Sequence, residues 1–144
     1  MTIKEKQEKL VEEFSVFDDW EDKYKLIIEK AKSAEPFPEE ERTDKNKIDG
    51  CQSQVWLTAK YENGKVKFYA DSDAVLVKGM TAILTYVYSG HTPDEILNSP
   101  PEFLNKIGIT DHLSPTRKNG LNAMLKQIQL YALAFKALDK KKEN

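Results

Sequence analysis

Ile3, Leu10, Phe14 and Phe17 recur at intervals of seven, four and three among Lys, Glu and Gln, which is one helical face on an otherwise solvated segment. The spacing predicts an N-terminal helix. Asp18 and Asp19 are placed to cap a second helix, whose apolar positions Trp20, Tyr24, Ile27, Ile28 and Ala31 keep the same period and stop before Pro36. Residues 36–46, Pro-Phe-Pro followed by mostly charged residues, read as a surface connection. A short strand is expected at about 45–49. The period then changes to two: Val55, Leu57, Ala59 and Tyr61 on one side of Asn63-Gly64, Val66, Phe68 and Ala70 on the other. That is a hairpin signature, because Asn-Gly tolerates the positive φ angles of a tight turn.

Asp71-Ser72-Asp73 supplies caps for a segment reaching Ser89, in which Lys78 is the only charged residue and Leu76, Met80, Ile83, Leu84 and Val87 share a helical face. A helix apolar on nearly all sides should be central. Ser89-Gly90 ends it, and Thr92-Pro93-Asp94-Glu95 combines a capping box with proline at the first helical position. Short helices are expected up to Ile107. Ser114-Pro115-Thr116-Arg117 repeats the cap-then-proline signal, and Asn119-Gly120 is expected to break or bend the chain before a last helix carrying Leu121, Met124, Leu125, Ile128, Ala132 and Phe135. Lys140-Lys141-Lys142 suits that helix's C-terminal dipole and a solvated tail. The sum is an α+β fold in one domain, residues 1–144: a small antiparallel sheet of about three strands, packed with helices before and after it, with one sheet face left wet.

Composition narrows the function. With 22 basic and 24 acidic residues in 144, the net charge of −2 gives no cationic field to attract nucleic acid. No stretch approaches the roughly 20 apolar residues of a membrane span, and the charged start lacks the core of a secretory signal. The expected setting is a reducing cytoplasm, where the single cysteine, Cys51, stays a thiol.

Cys51 with His91 and His112 falls short of the four ligands of a structural zinc site, so no metal is expected, and both histidines read as surface turn residues. No Gly-rich phosphate loop occurs, and the carboxylates are scattered over amphipathic helices. Nothing in the spacing brings a histidine beside the thiol as a hydrolase would need. Cys51 by itself fits either a small buried hydrophobe or a reactive thiol presented by a loop, with Gly50 allowing close approach of another macromolecule.

Gly50-Cys51-Gln52-Ser53-Gln54-Val55-Trp56, Asp71-Ser72-Asp73-Ala74 with Val77-Lys78-Gly79, Thr92-Pro93, and Leu113-Ser114-Pro115-Thr116-Arg117 with Asn119-Gly120-Leu121 together resemble the SufE family of sulfur-acceptor proteins. The resemblance runs from the first helix to about Phe135, with the blocks in the family's order. It implies the fold shared by SufE and the IscU-type scaffolds. It also implies a carrier that takes persulfide sulfur from a cysteine desulfurase of the SufS kind, stimulates that enzyme, and passes sulfur to iron–sulfur scaffold proteins. Cys51 matches the family's sulfur-accepting cysteine, and family behaviour implies a loop that shelters the sulfur and then swings outward. Arg117 matches the family's arginine. Partner docking suits it better than sulfur activation, because a guanidinium cannot accept a proton. Gly50, Gln52 and Ser53 are expected to shape the loop, and Asp73 to support it or cap a helix. No cofactor of its own is expected; pyridoxal phosphate would belong to the desulfurase. Such a protein is an accessory rather than an independent enzyme. The rival readings are a redox-sensing thiol, which would need an external resolving thiol, and a docking module without sulfur transfer.

Overall fold

The helical stripes become helices whose caps are written into the sequence. A computed structural model describes residues 1–49 and 53–143, with side chains to residue 141. In α1 (Ile3–Ser15) the Thr2 hydroxyl accepts the Glu5 N–H while the Glu5 carboxylate accepts the Thr2 N–H, each at 3.0 Å. Ile3, Leu10 and Phe14 turn inward; Phe17 falls beyond the helix end. Asp19 caps α2 (Trp20–Lys32) through the Glu21 N–H. α2 packs on α3 (Val75–Tyr88), the central apolar helix, at Gly79, where a Cβ would run into the carbonyl oxygen of Ile27. Only a residue without a side chain permits that approach.

The hairpin is β1 (Val55–Glu62) and β2 (Lys65–Ser72), antiparallel in the register Val55↔Ser72 through Glu62↔Lys65. Asn63 and Gly64 both take positive φ at the turn, 54° and 77°. The expected third strand shrinks to one bridge, Lys47 opposite Trp56, because residues 44–46 coil into a 3₁₀ turn. One sheet face lies under α3 and contributes Leu57, Val66, Phe68 and Ala70 to the core. The other is not simply wet. The 36–46 connection folds onto it through two 3₁₀ turns, burying Phe37 and Asn46, whose side-chain amide donates to the Glu41 carbonyl at 2.7 Å. Its outer side remains the expected surface connection, with Pro36, Glu39, Glu40, Thr43, Asp44 and Lys45 exposed.

Two short helices follow, α4 (Pro93–Leu97), with the Thr92–Glu95 capping box formed, and α5 (Phe103–Ile107). α6 (Pro115–Glu143) then runs for 29 residues along α4 and β1. Asn119-Gly120 does not break it: both residues stay in the helix, and Gly120 is buried. Tyr61 stacks on Phe135 at 4.7 Å and donates its hydroxyl to Asp139, whose carboxylate pushes the phenol up to about 12. Among the described residues no helix is long and apolar enough to cross a membrane.

His91 is not a surface residue. It is 6% exposed, its carbonyl accepts the Val66 N–H at 2.8 Å, and Nδ1 lies 3.5 Å from Glu95. Burial, helped by the nearby Lys6 charge, pulls its imidazole below the usual range against the opposing pull of Glu95. His112 is exposed, as expected, and stacks on Trp20 at 4.3 Å.

Candidate functional site

Residues 50–52, and with them Gly50, Cys51 and Gln52, lie outside the described residues; two hydrogen-bonded stems flank them. On the entering stem the Ile48 N–H donates to the Val55 carbonyl at 2.8 Å. On the leaving stem Gln54 is held twice by one residue: its N–H donates to the Asp73 carboxylate at 3.0 Å, and its carbonyl accepts the Asp73 N–H at 3.2 Å. Asp73 is thus tied to Gln54 and does not cap α3. The N-cap of α3 is Ala74, with no side-chain bond to the helix, and the Ser72 hydroxyl bonds the Ala74 N–H instead.

Behind the stems sits a cationic clasp. Trp56, next but one after Gln54 and 8% exposed, has the Arg42 guanidinium 4.8 Å from its ring centroid and the Lys47 ammonium at 5.8 Å. Arg42 is fixed in turn by Asp71 at 2.8 Å and Glu39 at 3.0 Å, and Lys78 stands 3.5 Å from Asp71. Partial burial raises the Asp71 carboxyl, but the Arg42 bond, the Ser72 N–H and the Lys78 charge outweigh it and hold the group below its ordinary range. The 36–46 connection is therefore bolted to the strand that leaves the loop. Trp56 is a packed strand residue, and its cationic partners, 14 and nine residues away in sequence, carry no local signal.

Next to Ser53 opens a cleft of about 90 Å³ between β1, α3 and the first turns of α6. Val55, Val77, Met80, Leu121 and Met124 make it apolar, and Thr116 and Arg117 stand on its α6 side. The Ser114 hydroxyl caps α6 by accepting the Arg117 N–H at 3.3 Å. Among the described residues no carboxylate pairs with the exposed Arg117 guanidinium. A cation in the first turn opposes the helix dipole, so helix stability does not account for this arginine. Ser53 and Arg117, 64 positions apart in sequence, thus meet at one cleft, while Asp73 is not among its lining residues and is tied to Gln54. Neither His91 nor His112 is among the lining residues, and among the described residues no three acidic or histidine side chains converge to hold a metal.

The family model described as SufE, Fe-S metabolism associated domain, matches residues 8–132. The chain belongs to the SufE family. An uncharacterized SufE-like protein of Synechocystis is 41% identical over 127 residues, covering 88% of this chain and 80% of the relative. One from Rhizobium etli is 41% identical over 127 residues, covering 85% and 86%, and one from Rhizobium meliloti is 38% identical, covering 85% and 91%. The solution structure of a hypothetical protein from Thermus thermophilus superposes with a TM-score of 0.75 at 26% identity, over 90% of this chain and 94% of that one. The stems, cleft and Arg117 all fall inside the part of the chain that the SufE model spans. Its description places this SufE protein in Fe–S metabolism.

Proposed function

We propose that this SufE protein is a sulfur carrier, in which Cys51 accepts the outer sulfur of a persulfide held by a cysteine desulfurase and hands it on toward iron–sulfur cluster assembly. The observation that supports this best is the apolar cleft with Arg117 on its wall, set against a loop whose stems are hydrogen-bonded on both sides. Cys51 is two residues from Ser53, so covalent geometry keeps its Cα within about 7 Å of the Ser53 Cα.

In the transfer the Cys51 thiolate attacks the outer sulfur of the donor persulfide. The new sulfur–sulfur bond forms as the donor's breaks, and the electron pair leaves on the desulfurase thiolate. The proton that Cys51 gives up to solvent is matched by one the departing thiolate takes up, and no net oxidation occurs. Carbon–sulfur cleavage and pyridoxal phosphate belong to the desulfurase; the carrier works with no cofactor of its own. Arg117 is assigned to docking, donating paired N–H bonds to a carboxylate or carbonyl of the desulfurase. Gly50, Gln52 and Ser53 shape the loop and Asp73 holds its leaving stem. Scaffold proteins of cluster assembly are the proposed downstream acceptors.

The test is intact mass without reductant after incubation with a cysteine desulfurase and cysteine. A desulfurase-dependent gain of roughly 32 Da that Cys51→Ser abolishes is the expected result of persulfide exchange. No gain beside an active desulfurase overturns the proposal.

A further inference from the structure

The outer face of α6 is apolar where nothing in the fold covers it. Leu130 is 47% exposed, Leu133 51% and Leu138 49%, and Ala134 and Ala137 between them are exposed as well. Steps of three and four residues put Leu130, Leu133, Ala134 and Ala137 on one stripe, with Leu138 at its margin. The opposite face is already committed to the core, with Ile128 and Ala132 buried, Tyr131 meeting Phe68 edge to face and Phe135 stacked on Tyr61. The stripe is bounded by exposed lysines: Lys126, one turn before Leu130, and Lys141, one turn after Ala137, with Lys140 beside it. No carboxylate lies on it; Asp139 points at Tyr61, and Lys136, to one side, pairs with Asp94 at 2.7 Å. Leu133, Ala137 and Leu138 lie beyond the residues the SufE model matches.

We infer that this face of α6 docks an acidic amphipathic helix of a partner protein, seating its apolar side on Leu130, Leu133 and Leu138 and its carboxylates against Lys126 and Lys141. Charge decides the occupant. A second copy packed antiparallel about the Leu133–Ala134 midpoint would set Lys126 of one chain opposite Lys141 of the other at both ends, four cations with no acid on either stripe. A parallel pair would set each lysine against its own equivalent. A helix carrying Glu or Asp at both ends of its stripe turns both clashes into ion pairs. Shape agrees: Ala134 and Ala137 let a second helix axis come close between flanking leucines. An anionic bilayer would also attract the lysines, but helices that lie in a membrane surface sink by about 5–10 Å on a wide apolar face. Here the aromatic residues of α6 are turned into the core.

The test uses the full chain and a fluorescein-labelled helical peptide of about 18 residues, with Leu at i, i+3, i+4 and i+7 and paired Glu at each end, beside a twin with Lys in place of Glu. Fluorescence anisotropy is expected to show saturable binding of the Glu peptide and at least about tenfold weaker binding of the Lys twin. Lys126→Glu/Lys141→Glu should reverse that preference, and Leu133→Ser should weaken both, with melting temperatures unchanged because all three positions are exposed. The inference is overturned by absent saturation up to about 1 mM, by equal binding of the two peptides, or by no reversal in the double variant. It is equally overturned if sedimentation gives a dimer that Leu133→Ser dissolves, or if the chain floats with anionic vesicles while ignoring the Glu peptide.

Discussion

Replacing Asp73 by Ala should loosen the leaving stem of the 49–53 loop while sparing the rest of the fold. Among the described residues the side chain makes one hydrogen bond, from the Gln54 N–H at 3.0 Å; the backbone bond from the Asp73 N–H to the Gln54 carbonyl survives the substitution. Bonds to a charged acceptor are worth about 1.5–3 kcal/mol when buried, and loss of an exposed cap-like oxygen costs about 1 kcal/mol. Asp73 is exposed, so the lower figure applies. A cost of about 1 kcal/mol raises the open population of this stem about fivefold, and amide exchange at Gln54 should accelerate by that factor. Ile48, bonded on the other stem to Val55, supplies the internal control and should exchange as before. Asp73→Asn keeps an acceptor and should lie between Ala and wild type. NMR-detected hydrogen exchange at each amide is the assay. Unchanged Gln54 exchange, or equal acceleration at Ile48, would show that Asp73 does not clamp the stem.

Arg117→Ala should leave the melting temperature unchanged or higher, since it removes a cation from the first turn of α6, yet cut desulfurase-dependent sulfur uptake at least about tenfold, with Arg117→Lys in between. Gly79→Ala should cost about 1–3 kcal/mol in urea titration, because its Cβ meets backbone at Ile27 rather than a side chain that can turn away. Stability should also fall on acidification through His91. The unfolded imidazole takes its proton near pH 6.5 while the buried one resists, so the contribution is intact above about 6.5 and is lost progressively below it. Denaturant midpoints at pH 7.5 and 5.5 in wild type and His91→Gln measure this, and an equal slope in the variant would assign the pH dependence elsewhere.

What the chain discloses in advance is what acts within a turn or two. The Thr92–Glu95 box, the Asn63-Gly64 turn and the buried face of α3 depend on neighbours three or four residues away, or on a single residue's φ range, and each forms as its spacing predicts. The misses are long-range. Asp73 was as good a cap as any until Gln54, 19 residues earlier, arrived across the hairpin. His91 follows a glycine like any turn residue, and only its bridge to Val66 takes it inside. Arg42, in a run of charge, is spent on Trp56 and Asp71. Asn119-Gly120 stays helical, and Gly120 is buried on the inner side of α6 rather than placed in a turn. For the site, Ser53 and Arg117 were nameable from their motifs. That they share one cleft depends on where α6 crosses β1 and α3.

The bonded stems also act as a ruler. Ile48 and Gln54, the two anchored residues, stand three positions either side of Cys51, which makes the thiol the midpoint of its tether. Three extended residues span at most about 10–11 Å, so with both anchors engaged the sulfur-bearing residue can be presented no farther than that from the body of the protein. If Cys51 accepts sulfur as proposed, a donor whose persulfide lies deeper than this reach must either advance its own sulfur or pull one anchor loose, and a single glycine inserted on each side of Cys51 would lengthen the rule by one residue without touching the thiol.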